Sequence, residues 1–153
     1  MSKQVSVPGG GKCTLEIWDT AGQEKYRSIA PMYYKGSDIA IVCYDITNID
    51  SYLVAQKWID ELCSYTNIHE KGVVIICGTK SDLEHAVPPE DVRQYASENG
   101  FYFIETSSKT GDKVDELFEL IVSLIPEVVR PLVYKSKSFQ LEDEVGQSEW
   151  KCC

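Results

Sequence analysis

The chain reads as an α/β protein, doubly wound about a mostly parallel sheet with a β-hairpin at its amino end. Three observations predict this. Continuous apolar runs of strand length occur at residues 39–44 (IAIVCY), 73–77 (VVIIC) and 101–104 (FYFI), as expected where both faces of a parallel sheet are covered. Helical patterns lie between and after these runs, and strands alternating with helices indicate parallel pairing. Ahead of them, two short β-leaning segments flank Pro8, Gly9, Gly10 and Gly11, a turn cluster that signals a hairpin.

In the hairpin, residues 3–7 form one arm and residues 12–18 the other. Cys13, Leu15 and Ile17 alternate with Thr14, Glu16 and Trp18, the period of a strand with two unlike faces. A polar stretch follows over residues 19–35. The first helix is predicted over 52–65, with Leu53, Trp58, Ile59 and Leu62 on its apolar side. The second is predicted over 91–99, because Pro88 and Pro89 suit a helix start and Gly100 supplies the stop. The third is predicted over 112–124, where Val114, Leu117, Phe118, Ile121 and Val122 follow the i, i+3, i+4, i+7, i+8 pattern of an amphipathic helix. From Pro131 the composition turns polar and aperiodic. Residues 1–130 are therefore expected to form one domain, and residues 131–153 a flexible tail.

At 153 residues the chain is long enough for one ordinary domain and too short for two. Its 43% hydrophobic and 25% charged residues are those of a globular protein. The 15 Lys and Arg against 24 Asp and Glu leave a net charge of -9, which repels phosphate backbones and argues against nucleic acid as a partner. No apolar run approaches the length of a spanning helix, and the start has no signal-peptide character, so a cytosolic protein is expected. The six cysteines include no CxxC pair. Cys13, Cys43 and Cys77 sit in strand-like runs and read as small buried hydrophobes. Cys152 and Cys153 end the chain after a polar tail and need another explanation.

Three segments carry chemistry. At the end of the hairpin stands Trp18-Asp19-Thr20-Ala21-Gly22-Gln23-Glu24, and open α/β sheets place ligands at the carboxyl ends of their strands. An acid there can hold Mg²⁺ through water, a glycine lets its N–H approach a phosphate, and a glutamine can orient an attacking water. Alone, DxxG is better read as a turn, and the two segments that follow change that weighting. After residues 73–77 comes Gly78-Thr79-Lys80-Ser81-Asp82, and after residues 101–104 comes Glu105-Thr106-Ser107-Ser108-Lys109. Asp82 can accept two bonds from a donor pair such as guanine N1–H and N2–H. The stem of Lys80 can lie over a base plane, and a backbone N–H near Ser108 can reach the guanine O6.

With these residues the chain resembles a Rab protein of the Ras-like small GTPase superfamily, from about residue 1 to about residue 126 and again at its last two residues. WDTAGQE, TKSD and ETSSK resemble the family's third, fourth and fifth guanine-nucleotide motifs. KYRSIA, YYKGS and IVCYDIT (residues 25–30, 33–37 and 41–47) are similar to Rab-specific stretches, and APMYYKG followed by AIVCYDITN is most like the early-endosomal branch. The resemblance implies GTP/GDP and Mg²⁺ as cofactors and a Ras-like sheet. Asp19 then matches the water-mediated Mg²⁺ contact, Gly22 the γ-phosphate sensor and Gln23 the catalytic residue that positions water. Thr79, Lys80 and Asp82 match the base-specificity motif, and Ser107, Ser108 and Lys109 the loop that closes on the base. Trp18 and Tyr33 match two aromatics of the effector surface; ordinary half-buried packing is the other reading of both.

Departures are also visible. Thr79 stands where Asn is usual and Ser108 where Ala is usual. No GxxxxGK[ST] segment occurs; Gly11 and Lys12 precede a strand, whereas a phosphate loop opens a helix. Aligned on WDTAGQE, Met1 falls within the family's second strand. The first strand, phosphate loop, first helix and first switch are thus expected to be absent, with nucleotide binding impaired. Cys152-Cys153 resembles the Rab terminus that receives two geranylgeranyl groups, and two lipid chains anchor stably where one is marginal. The resemblance further implies a Rab escort protein, a GDP-dissociation inhibitor, an exchange factor and effectors as partners. It implies the cytosol and the cytoplasmic face of endosomal or vesicle membranes as location. A non-enzymatic prenylated protein that engages escort or effector proteins without nucleotide is the alternative.

Overall fold

The structure is a computed structural model and describes residues 1–7, 11–20, 37–65 and 72–128; the tail over 131–153 lies outside them. Strands β1 (Ser2–Val7) and β2 (Gly11–Glu16) form the expected hairpin. Their antiparallel register runs from Ser2 opposite Glu16 to Val7 opposite Gly11. Met1 and Ile17 extend it by two backbone bonds of 2.8 and 2.9 Å. Val5, Val7, Cys13, Leu15 and Ile17 are half-buried while their strand neighbours are exposed, as the alternation predicts. Lys12 lies within β2 opposite Ser6, so Gly11-Lys12 is strand.

Strands β3 (Ile39–Asp45), β4 (Val73–Thr79) and β5 (Tyr102–Thr106) form a parallel sheet in that order. Helix α1 (Ile49–Tyr65) joins β3 to β4, helix α2 (Pro89–Asn99) joins β4 to β5, and helix α3 (Val114–Val128) follows β5. Two parallel steps in one direction place both crossovers on one face. There Tyr44, Ile46, Val74 and Ile76 pack with Tyr52, Ala55, Ile59 and Leu62 of α1 and Val92 and Ala96 of α2. On the other face Ile75 packs with Ile121 and Leu124 of α3, joined by Leu15 of the hairpin and Phe118. Among the described residues the hairpin and the parallel sheet are two separate sheets.

Element boundaries depart from the expected ones for identifiable reasons. Helix α1 starts three residues early because Asn48 caps it: its side-chain oxygen accepts the N–H of Asp50 at 2.9 Å and of Ser51 at 3.3 Å. Helix α3 starts two residues late because Lys113 is left-handed, with φ 52°. Helix α2 ends as expected at Gly100, whose φ of 70° lets its N–H reach the carbonyls of Ala96 and Ser97. Each parallel strand runs past its last apolar residue into Asp45, Thr79 or Thr106.

The cysteines divide. Cys77 is buried and Cys13 half-buried, but Cys43 is exposed, which corrects its reading as a core residue. Among the described strands β3 is the sheet edge, and packing on the α3 face reaches Ile39 but leaves Ile41 and Cys43 open. Gly78 is required by close packing. A Cβ there would lie 2.9 Å from Ile46 Cγ2, 3.0 Å from Tyr44 Oη and 3.1 Å from Glu105 Cγ.

Candidate functional site

The parallel register brings Asp45 level with Thr79, and Thr79 level with Thr106. Three polar strand ends therefore form one rim, and the loops 80–82 and 107–112 leave from it. Thr79 donates its hydroxyl to the Tyr44 carbonyl at 2.7 Å, tying β4 to β3. Lys80 then turns left-handed, with φ 66°, a conformation that costs a residue with a side chain about 1–2 kcal/mol. This turn sends its ammonium back to β3, where it meets Asp45 Oδ2 at 2.5 Å. Asp45 Oδ1 accepts the Thr47 N–H at 2.9 Å and the Thr47 hydroxyl at 2.7 Å. The bond from Lys80, then those from Thr47, hold the Asp45 carboxyl down at about 2.

Asp82 is the centre of the second cluster. Its Oδ1 accepts the Ser107 hydroxyl at 2.5 Å, and its Oδ2 lies 3.5 Å from the Lys109 ammonium. The Ser107 bond, with a smaller contribution from Lys109, keeps the carboxyl below its ordinary value. The loops are further stitched by Ser81, whose N–H donates to the Thr106 carbonyl at 3.0 Å and whose hydroxyl meets Asp112 Oδ2 at 3.1 Å. Ser107 N–H donates to the Asp112 carbonyl at 3.0 Å. The Gly111 N–H closes the turn on Ser107 at 2.8 Å, and exposed Ser108 and Lys109 stand on that turn.

The rim thus places Thr79, Lys80, Asp82, Ser107, Ser108 and Lys109 on neighbouring strand-end loops, with Lys80 bonded to Asp45 and Asp82 to Ser107 and Lys109. An ionised carboxylate carries about four acceptor positions, so Asp82 retains capacity for two parallel N–H donors beyond Ser107 and Lys109. These residues fit the base of a guanine nucleotide. The phosphate end has less: Asp19 is exposed beyond β2, and its charge is among the influences that raise the Cys43 thiol. Its carboxylate therefore reaches the neighbourhood of β3. Among the described residues no three His, Cys, Asp or Glu side chains are grouped to hold a metal ion. Gly22, Gln23, Tyr33, Cys152 and Cys153 lie outside the described residues. Trp18 keeps 68% of its surface exposed.

Asp45, Ser81 and Asp112 belong to the site and were not singled out by the sequence. Asp45 carried a usable signal, being an acid at the carboxyl end of a strand, as Asp19 is. Asp112 carried none, since its role depends on the fold of the 107–111 turn.

Comparison with known proteins decides the family. The Ras family profile matches residues 1–127. The chain belongs to the Ras family. It is 43% identical to the "Ras-related protein Rab5" of Nicotiana tabacum over 156 aligned residues, covering 99% of this chain and 76% of that protein. It is 49% identical to the "Ras-related protein RHN1" of Nicotiana plumbaginifolia over 114 residues, 73% of this chain and 56% of that protein. With the "Ras-related protein RABF2b" of Arabidopsis thaliana the identity is also 49%, over 116 residues, 74% and 57% of the two chains. The match thus spans little more than half the length of the latter two relatives. These relatives assign this Ras family member to the Rab branch, as its motifs resemble, and the α/β fold with its parallel sheet agrees.

Proposed function

We propose that this Rab-branch chain is a GTP-binding protein of endosomal vesicle traffic, acting as a GTP/GDP switch. The carrying observation is the Asp82 carboxylate, held ionised by Ser107 and Lys109 on the same rim as Lys80 and Ser108. Asp82 accepts the two N–H donors of guanine, and the stem of Lys80 covers one face of the base while its ammonium stays on Asp45. The turn at Ser108 offers a main-chain N–H to the guanine O6. In a complete switch Gly22 would offer its N–H to the terminal phosphate, Asp19 would hold a metal ion through water, and Gln23 would orient the attacking water. Mg·GTP would there supply the phosphoryl group that is hydrolysed. Trp18 and Tyr33 present an effector surface.

Residues 1–130 act as the nucleotide domain and residues 131–153 as a tail that carries two prenyl groups on Cys152 and Cys153. No described helix is long and apolar enough to cross a membrane, which leaves lipid attachment as the proposed anchor. Escort protein, GDP-dissociation inhibitor and exchange factor are the proposed handlers of that anchor and switch. The 153 residues contain no GxxxxGK[ST] segment, so this chain is proposed to hold the base without cradling the phosphates. That same observation favours a second reading, a prenylated binding protein that engages escort or effector proteins without nucleotide.

Isothermal titration of this chain with GDP, GTP and ATP in Mg²⁺ tests both. Weak binding that favours guanine over adenine, with no phosphate release, supports an impaired switch. Nanomolar affinity or Gln23-dependent hydrolysis would overturn the impairment, and equal affinity for ATP would overturn base recognition. Absence of any nucleotide binding, with retained capture by an escort protein, supports the second reading. An upstream-extended chain carrying a phosphate loop is expected to bind tightly if the first reading holds.

A further inference from the structure

Cys43 and Cys77 are exact register partners on neighbouring parallel strands, and both project to the α3 side of the sheet with Ile75. Adjacent strands lie about 4.8 Å apart, inside the Cα separation of about 4.4–6.8 Å that a disulfide accepts. Their accessibility is unequal: Cys43 is exposed and Cys77 is 2% exposed. Cys77 Sγ also lies 3.4 Å from Thr106 Oγ1.

We propose that Cys43 and Cys77 form a reversible disulfide, with Cys43 as the entry thiol for a low-molecular-weight disulfide and Cys77 as the resolving thiol. Cys43 Sγ, as thiolate, attacks one sulfur of oxidised glutathione. A Cys43–glutathione bond forms, the glutathione S–S bond breaks, and the departing glutathione takes the proton that Cys43 lost. Cys77 then attacks Cys43 Sγ, forming the Cys43–Cys77 bond and expelling the second glutathione, which takes the Cys77 proton. Two protein thiols give up two electrons and two protons, and one glutathione disulfide becomes two glutathione thiols.

The asymmetry of the pair suits these roles. The exposed sulfur is the one that an outside disulfide can reach, and the buried one, its register partner on the next strand, is placed to attack it from within the protein. Transient disulfides of this sort are the form found where the surroundings are reducing. The bond would staple β3 to β4 two residues below the Asp45–Thr79 pair, so oxidation would fix the rim from beneath. None of this depends on nucleotide binding.

The test uses the 153-residue chain with Cys152 and Cys153 changed to Ser, to prevent pairing between molecules. It is incubated folded in oxidised glutathione, capped with N-ethylmaleimide, digested with trypsin and weighed by mass spectrometry. The expected product links peptide 36–57 to peptide 72–80 and is two hydrogens lighter than their sum. The thermal midpoint is expected to rise by about 5–10 °C and to return on adding dithiothreitol. Cys43→Ser, at an exposed position, is expected to keep the reduced midpoint and lose both the linked peptide and the shift. A stable glutathione adduct on Cys43 with Cys77 still capped as a thiol would overturn the proposal. So would pairing of Cys43 chiefly with Cys13 or Cys63, or the same linked peptide forming equally in denaturant.

Discussion

Asp45 shows how one carboxylate can couple the rim to acid stability. Folded, it titrates at about 2, against an ordinary 3.8. A depressed carboxylate contributes stability above its unfolded pKa and loses it as pH falls through the folded one. The contribution of Asp45 is therefore complete above about pH 4 and is lost on descending toward pH 2, and Asp82 acts with the same sign. Denaturant midpoints measured from pH 6 to pH 2 are expected to fall steeply below pH 4, and Asp45→Asn is expected to flatten that limb without abolishing it. Asp82 has a separate test, because its charge is needed as an acceptor. Asp82→Asn replaces one acceptor oxygen by a donor, and a hydrogen bond to a charged group is worth about 1.5–3 kcal/mol. Guanine nucleotide affinity by titration is expected to drop about 10- to 100-fold. Gly78 needs no ligand to be tested. The Cβ of Gly78→Ala would press on Ile46, on Glu105 and on Tyr44 Oη, a buried hydroxyl with no partner among the described residues. Overpacking of this kind costs about 1–3 kcal/mol, to be read as a lowered urea midpoint.

At the scale of elements, caps decide more than periodicity does. Asn48 begins α1 and Gly100 ends α2, and each is expected to cost about 1–2 kcal/mol when replaced by Ala, with loss of helical circular dichroism preceding global unfolding in Asn48→Ala. The sequence displayed the Gly100 signal because a glycine after a helical pattern has few other uses. It concealed Asn48 because the first helical residues, Ile49 to Ser51, do not continue the apolar stripe. The strands were legible as apolar runs, since burial on both faces demands them. Their last residues were not legible, because the ladder continues to Asp45, Thr79 and Thr106 after burial ceases. Those polar extensions are where the site lies. TKSD and ETSSK were readable as separate loops through their residue types, whereas the bonds joining them through Ser81, Asp112 and Asp82, and the bond of Lys80 to Asp45, arise only once parallel register sets the strand ends level. The exposure of Cys43 was equally hidden: an apolar run does not reveal which strand will be the sheet edge.

At the scale of the whole molecule, the separation of the two sheets is the feature from which stability follows. Among the described residues β1 and β2 form one sheet and β3, β4 and β5 another. Strand β4 is paired on both sides and has five consecutive buried residues, Val74 to Gly78, while among the described residues β1 and β2 pair only with each other and bury none fully. The hairpin is attached through side chains: Leu15 and Phe118 both pack against the Ile75, Ile121 and Leu124 cluster, and the Lys3 ammonium lies 5.9 Å from the centre of the Phe118 ring, a contact worth about 0.5–1 kcal/mol at an exposed site. Local opening follows the weakest attachment. Hydrogen exchange is therefore expected to give β4 the highest protection and the hairpin amides at least tenfold less. Phe118→Ala is expected to lower hairpin protection further, through loss of the Lys3 contact and of packing in that cluster, while leaving the ranking of β4 above β3 and β5 unchanged. Equal protection across the hairpin and β4, with one sharp thermal transition, would mean that the two sheets unfold as a unit, and the attachment through Phe118 would then have to be far stronger than its contacts allow.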